Sequence, residues 1–163
     1  REKLQVNLNK LVPQIALPHR VDSVMPLGEV EGTDVSQGVV GTCTNGRLED
    51  LKVAAEIAEG NEIHPSCRLI VAPASRRVFR KALERGYLNK LNDFGASIIT
   101  PGCGPCLGTH NGIPGDGENV ISTANRNFKG RMGNENANIY LGSPASVMAS
   151  MVEGRIADPR NFI

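Results

Sequence analysis

From residue 37 onward, short apolar runs alternate with longer segments of helical periodicity. The apolar runs, which read as strands, are 38–41, 68–72, 96–100, 119–123 and 138–141. The helical segments are 47–59, 75–86, 87–94 and 143–154. Such an alternation is typical of parallel strands whose sheet is covered by helices. The predicted fold class is therefore α/β, with a mostly parallel sheet flanked by helices.

The segment before residue 35 has a different character. Leu4, Val6 and Leu8 alternate as in a strand, and prolines interrupt the rest of the segment. We predict an extended, proline-punctuated lead-in over 1–34 and a single α/β domain over 35–163 that carries the candidate metal ligands. The first residue is Arg rather than Met, and no signal-peptide segment follows it, so we expect a processed or truncated chain.

Size and charge exclude several classes of function. The 163 residues fit one domain, and the formal net charge of +1 gives no electrostatic reason to bind nucleic acid or an anionic membrane. No apolar run approaches the roughly 20 residues of a membrane span. We therefore expect a cytoplasmic protein with no nucleic-acid and no membrane partner.

The residues with the most chemistry follow the predicted strands. In open α/β sheets, ligands bind beyond the carboxyl ends of the strands, which in a parallel sheet share one edge. The side chains expected at that edge are Cys43 after the first run, Cys103 and Cys106 after the third, and Asn125, Arg126 and Arg131 after the fourth. The sequence thus predicts a site with three thiols and two guanidinium groups.

The thiols leave several readings open. One lone cysteine and one Cys-x-x-Cys pair fit a cubane iron–sulfur cluster in which one iron has no protein thiolate. A structural zinc ion usually has four protein ligands. Among the histidines, only His110 lies near the Cys-x-x-Cys pair in the sequence. A redox or purely structural role is the third reading. Cys67 begins an apolar run, and we expect it to be a buried structural thiol.

The other polar candidates also have two readings each. Arg126 and Arg131 suit a carboxylate-rich substrate because guanidinium binds carboxylate bidentately, yet both could be solvated loop residues. Asn125 and Asn127 could donate hydrogen bonds to a substrate or stabilise the turn that contains them. Asn45 is expected to cap the helix that follows it.

The motifs of these loops resemble a known family. The segments that carry the resemblance are Gly41–Leu51, Pro101–Gly108 and Ser122–Arg131, with weaker matches at 12–19 and 142–145. In this order they resemble the aconitase superfamily, and within it the large subunits of isopropylmalate isomerase and homoaconitase. Thr42 stands where the family usually has a serine before the first cysteine, which is a conservative change.

The resemblance implies a fold, a cofactor and a reaction. It implies that this chain is the third domain of the large subunit. It also implies that Cys43, Cys103 and Cys106 bind a [4Fe–4S] cluster in which one iron has no protein thiolate. It assigns the remaining site residues, Asn125, Arg126 and Arg131, to substrate binding. The implied enzyme is a hydro-lyase that isomerises a 2- or 3-hydroxy di- or tricarboxylic acid by dehydration and rehydration, isopropylmalate first and homoaconitate next.

The resemblance also shows what such an enzyme needs beyond these residues. The family's acid–base groups lie in upstream domains and in a small subunit, so no catalytic residue is assigned to this chain. The implied partners are that small subunit, the upstream part of the large subunit and a small hydroxy acid. We expect an inactive fragment, in which the cluster could be absent. The alternatives are an apo docking module for the small subunit and a structural zinc-binding domain.

Overall fold

The computed structural model describes residue 3 and residues 5–163; Leu4 lies outside the described residues. The strands are β1 (Gln14–Ala16), β2 (Val24–Pro26), β3 (Gln37–Gly41), β4 (Arg68–Ala72), β5 (Ala96–Ile98), β6 (Asn119–Ser122) and β7 (Asn138–Leu141). The helices are α1 (Thr42–Asn45), α2 (Leu48–Ala58), α3 (Arg76–Glu84), α4 (Tyr87–Asp93), α5 (Gly104–Leu107) and α6 (Pro144–Glu153). Within the described residues, no helix is both long enough and apolar enough to cross a membrane.

The strands form one sheet in the order β2-β1-β7-β6-β3-β4-β5. The five strands β3 to β7 pair with one another in parallel. In this register, Val39 of β3 lies opposite Ile70 of β4 and Ser122 of β6. The predicted α/β fold with a mostly parallel sheet is confirmed. The carboxyl ends of β3, β5 and β6, which precede the candidate site residues, therefore open on the same edge.

An antiparallel hairpin completes the sheet on one side. β1 pairs with β2, and its residue Ala16 also lies opposite Leu141 at the end of β7. The sheet thus extends into the segment for which the sequence predicted only an extended lead-in. The strand expected from the alternation that includes Leu8 is wrong, because Leu8–Lys10 is a 3-10 helix. Leu8 is 73% exposed, so it is not buried on the face of a sheet.

The two faces of the sheet are covered differently. On one face, the helices α2, α3, α4 and α6 pack together over the main core, which includes Val40 and Val71. On the other face, Val39 and Ile70 belong to a smaller core that also buries Met132, from the loop after β6. That loop carries Arg131, so the burial of Met132 fixes the backbone next to a candidate site residue.

The predicted helix boundaries follow from local chemistry. Ser75 and Ser143 cap α3 and α6, because each hydroxyl accepts the N–H of the residue three positions later. Gly86 and Gly154 follow these helices in the left-handed conformation that glycine adopts without strain. The predicted helical segments 75–86 and 143–154 thus agree with α3 and α6.

Candidate functional site

A cavity of about 290 Å³ opens at the carboxyl edge of the parallel strands. The predicted site residues in its wall are Cys43, Cys103, Cys106, Asn125 and Arg131. They come from three loops that follow β3, β5 and β6, far apart in sequence. The structure therefore brings five of the six predicted site residues to one place, while Arg126 lies outside this wall.

Cys43 is placed by a close approach between two strand ends. β3 ends at Gly41 with φ +120°, where a β-carbon would collide with the carbonyl oxygen of Ala72 at the end of β4. Only glycine allows this approach and this φ. The chain then turns at once into the short helix α1, which exposes the Cys43 side chain at the cavity.

Two hydrogen bonds tie the Cys43 segment to the end of β6. The hydroxyl oxygen of Thr123 accepts the Gly41 N–H at 2.8 Å, and the Asn45 side-chain amide donates to the Thr123 carbonyl at 2.8 Å. The prediction that Asn45 caps the next helix is therefore wrong. That position belongs to Arg47, whose N–H donates to the Asp50 carboxylate at 2.9 Å. Asn45 instead links the first thiol loop to the asparagine and arginine loop.

The Cys-x-x-Cys pair lies on α5 and just before it. Cys103 is exposed at the N-cap of this helix, and Cys106 is buried within it. The helix ends at Gly108 with φ +74°, and a β-carbon there would collide with the backbone of Gly133. The two segments can pack this closely only because the side chain is missing. This contact brings Cys106 to the loop of Arg131.

The guanidinium of Arg131 lies against a thiol. Its Nη2 donates to the Sγ atom of Cys106 at 3.3 Å, and its Cζ atom lies 5.5 Å from the ring centroid of Phe128. A cation over an aromatic ring at this distance is attracted to the ring face. Arg126 behaves differently, because it is exposed and its Nη1 donates to the neighbouring carbonyl of Asn125 at 2.6 Å.

The cavity wall has hydrogen-bonding groups without partners. The Oγ1 atom of Thr42 and the Nε atom of Arg131 are buried and find no hydrogen-bond partner in the part of the chain that the structure describes. Thr42 also has a φ of +64°, which is unfavourable for a β-branched residue. Such buried unsatisfied groups each cost about 1–3 kcal/mol and are uncommon in native structures. A polar group bound in this cavity would satisfy these two atoms. Within the described residues, His19 Nδ1 and Asn127 Oδ1 also lack partners but lie outside this wall.

The arrangement of the three thiols is compatible with a polynuclear cluster, whose ligands bind separate irons. Within residue 3 and residues 5–163, no group of three or more His, Cys, Asp or Glu side chains could hold one metal ion. The ring of His110 packs against the backbone of Gly104 in α5, and its Nδ1 lies 2.8 Å from the Asn111 side-chain amide. An iron–sulfur cluster binds each thiolate through a different iron, so its cysteines need not converge on one point. The thiol set of this cavity thus fits such a cluster.

Cys67 lies at the other edge of the sheet, directly before β4. Its thiol donates to the carbonyl oxygen of Val35 at 3.1 Å and packs against the main core. Burial raises the pKa of this thiol. The fourth cysteine is therefore separate from the cavity and offers a natural control for it.

A larger groove, of about 680 Å³, opens at the same edge as Cys67, where the parallel strands begin. Its wall includes His64 and Glu118. The Glu118 carboxylate pairs bidentately with the guanidinium of Arg68, and this hydrogen-bonded partner lowers the pKa of Glu118 to about 2. Glu153 pairs with Arg155 at 3.2 Å. Two of the four carboxylates in this wall, Glu118 and Glu153, are thus paired with arginines.

Phe128 does not line the cavity, but its ring lies against Arg131, and the sequence did not predict this contact. Its only signal was its position three residues before Arg131, in the same glycine-containing loop. The N–H of Arg131 donates to the Phe128 carbonyl at 3.0 Å, so a turn brings the ring and the guanidinium together. The local sequence contains both residues but does not show that the turn closes.

Fold and cavity together define an α/β domain with a thiol-lined site at the carboxyl edge of a parallel sheet. Residues 28–154 match the family described as the aconitase family (aconitate hydratase). The match covers more than half of the chain, and the chain belongs to the aconitase family.

Three relatives show the range of similarity within the family. The chain is 54% identical over 162 residues to 3-isopropylmalate dehydratase large subunit 2 of Archaeoglobus fulgidus, covering 99% of this chain and 39% of the relative. It is 53% identical over 163 residues to the large subunit 1 of the same enzyme of Thermotoga maritima, covering 99% and 39%. It is 55% identical over 150 residues to a probable methanogen homoaconitase large subunit of Methanosarcina mazei, covering 92% and 38%. The chain thus spans about two fifths of the length of these curated relatives.

Proposed function

We propose that this chain forms the cluster-bearing part of a hydro-lyase that isomerises a 2- or 3-hydroxy di- or tricarboxylic acid by dehydration and rehydration. The observation that carries the proposal is the cavity in which three cysteines and Arg131 meet, in a chain of the aconitase family. The names of the similar large subunits support 3-isopropylmalate as the first substrate to test and homoaconitate as the second.

The proposed cofactor is a [4Fe–4S] cluster held by Cys43, Cys103 and Cys106, with one iron left without a protein thiolate. Support comes from the thiol set of the cavity and from the unsatisfied buried atoms of Thr42 and Arg131 beside it. When bound, the cluster supplies a Lewis-acidic iron that polarises the substrate's hydroxyl and carboxylate oxygens. This chemistry requires an open metal position, which a three-cysteine site leaves available.

The chain's own residues would bind and orient the substrate. The Nη2 of Arg131 already reaches a cysteine sulfur of the cavity wall, so a carboxylate paired with this guanidinium would lie beside the cluster. The Asn125 side chain lines the same cavity and would offer a neutral hydrogen bond. Arg126 would join them only after its guanidinium leaves the Asn125 carbonyl, which it contacts at 2.6 Å.

Acid–base catalysis is assigned to other parts of the enzyme. Since the chain covers 39% of its relative from Archaeoglobus fulgidus, which is named a large subunit, we propose that the remaining length and a small subunit supply these groups. The 163-residue chain alone should then show no turnover of either hydroxy acid. A cytoplasmic location stays a prediction, and cell fractionation would test it.

Anaerobic reconstitution with iron and sulfide tests the cofactor. We expect about three to four irons per chain and visible absorption typical of an iron–sulfur cluster. One zinc per chain and no iron would favour the zinc-binding domain, and a chain that takes up no metal would favour the apo docking module. Either result would refute the proposed cofactor.

Serine substitutions test the ligand set. Cys43→Ser, Cys103→Ser and Cys106→Ser should each lower the iron content, while the matched control Cys67→Ser should retain it, because Cys67 lies at the opposite edge of the sheet. A Cys103→Ser chain that assembles a full cluster would contradict the assignment.

A further inference from the structure

Asn127 is fully buried in the middle of the loop that carries the candidate substrate-binding residues. It lies between Arg126 and Arg131 in sequence, yet it is not part of the cavity wall. Its side-chain amide instead points to two distant main-chain groups: Nδ2 donates to the carbonyl oxygen of Leu17 at 2.6 Å and to that of Ile139 at 3.1 Å. The neutral amide therefore connects three separate parts of the chain.

The first of these parts is the turn of the β1–β2 hairpin. Leu17 follows β1, and its N–H donates to the carbonyl of Ser23 at 2.8 Å, which closes the turn. The carbonyl oxygen of Arg20 in the same turn lies 3.5 Å from the Asn127 amide nitrogen. The second part is β7, through Ile139, whose side chain is fully buried in the smaller core. Asn127 thus joins the hairpin turn to the central part of the sheet.

The backbone pairing of the hairpin with the rest of the sheet is short, although Ile15 of β1 is buried in the main core. β1 lies opposite β7 at one residue pair only, Ala16 with Leu141. An asparagine whose role was to stabilise its own turn would bond to the backbone within two or three residues. The partners of Asn127, Leu17 and Ile139, are instead 110 and 12 residues away in the sequence. A buried side-chain amide that bridges distant carbonyls fixes the separation of the segments that carry them.

We propose that Asn127 is a positioning residue, which anchors the loop carrying Asn125, Arg126 and Arg131 to the β1–β2 hairpin and thereby sets the place of the Arg131 guanidinium at the cavity. The anchoring is independent of any ligand, whereas its consequence for substrate binding rests on the proposed function. The hairpin is then part of the site's support, although none of its residues lines the cavity.

Amide hydrogen exchange of the 163-residue chain tests the anchoring without a cluster. Asn127→Asp keeps the shape of the side chain but replaces the N–H donors by a carboxylate that faces carbonyl oxygens. Exchange should become about tenfold faster or more in both 124–131 and 17–23, with β3 and β4 unchanged. The matched control is Asn61→Asp, which removes the bond from the Asn61 amide to the Ile57 carbonyl at 2.8 Å, far from the cavity, and should leave both segments protected.

Asn127→Ser provides a second variant if the buried charge prevents folding, because the hydroxyl is too short to reach both carbonyls. Unchanged exchange in the two segments would overturn the proposal, and so would equal acceleration throughout the sheet, which would show a general loss of stability.

A second readout separates this inference from the proposed function. In cluster-loaded chain, Asn127→Ser should weaken the binding of a dicarboxylate such as malonate by about tenfold, with iron content unchanged. If the parent chain loads no cluster but exchange accelerates as expected, the proposed function fails and the anchoring stands. If dicarboxylate binding and exchange are both unaffected in a loaded chain, the positioning role is refuted.

Discussion

The ion pair between Glu118 and Arg68 makes a quantitative prediction about stability. The carboxylate of Glu118 accepts both terminal N–H groups of the guanidinium and also the N–H of Gly115 at 2.7 Å. The Nε of Arg68 in turn donates at 2.7 Å to the side-chain oxygen of Gln37, which is fully buried. The pair therefore links the start of β6 to the starts of β3 and β4, and removing the charge of Glu118 should loosen this edge.

The magnitude and sign follow from the pKa of Glu118. The hydrogen bonds from Arg68 lower it from 4.5 to about 2 in the folded chain. A depressed carboxyl pKa stabilises the fold above the unfolded value, and this stabilisation is lost as the pH falls towards the folded value. The full difference corresponds to about 3 kcal/mol. Solvent reaches 26% of the Glu118 side chain, so screening reduces the expected contribution to about 1–2 kcal/mol.

Urea unfolding of Glu118→Gln and the parent chain tests this reasoning. At pH 7 the variant should lose about 1–2 kcal/mol of unfolding free energy, and by pH 3 the difference should fall by more than half. The control is Glu59→Gln, whose exposed pair with Lys90 spans 2.6 Å and should contribute about 0.5 kcal/mol or less. A loss that is the same at pH 3 and pH 7, or no larger than that of the control, would refute the calculation.

Three further substitutions test the packing and the caps. Gly108→Ala should cost about 2 kcal/mol or more, because the residue has φ +74° and would collide with Gly133; lower iron uptake and a lower urea midpoint would both report it. Leu51→Ala, at a fully buried position of α2, should lower the unfolding free energy by about 2–5 kcal/mol in the same titration. Ser75→Ala should cost about 1 kcal/mol, since its hydroxyl accepts the Val78 N–H at 3.2 Å; an unchanged thermal midpoint would contradict this cap.

The parallel core could be predicted because its signals are local and redundant. Runs such as Leu69–Ala72 are apolar at every position, which indicates a strand buried on both faces. The helices α3 and α6 have a serine cap and a glycine stop within their own sequence. Once the strands are parallel, the carboxyl edge follows, and with it the meeting of Cys43 with Cys103 and Cys106.

The hairpin and the short helices could not be predicted in this way. β1 and β2 have three residues each, too few for a pattern of alternation, and the antiparallel pairing of Ala16 with Leu141 depends on a partner at the far end of the chain. The helices α1 and α5 have four residues, too few for a helical pattern, and lie next to close backbone approaches at Gly41 and Gly108. Tertiary contact, which sequence periodicity does not record, decides these elements.

The site shows the same division. That Asn125 and Arg131 line the same cavity as the thiols follows from the parallel sheet. The hydrogen bond of Arg126 to a neighbouring carbonyl, outside this wall, does not follow from it. From the sequence, Asn127 could either bind a substrate or stabilise its own turn. Its hydrogen-bond partners, the carbonyls of Leu17 and Ile139, fit neither role. Long-range hydrogen bonds of single polar side chains therefore mark the limit of what the loop sequences predict.

The strand order has a consequence for the sequence of events in folding. The strands β3, β4 and β5 are consecutive in the chain and adjacent in the sheet, so the part that carries the three cysteines closes over short connections. The hairpin is the earliest part of the sheet in the chain, but its neighbour β7 is the last strand, and this pairing closes the longest loop of the sheet. Contacts of such separation are slow to form. The half of the sheet that carries the three cysteines should thus form before the hairpin pairs with β7.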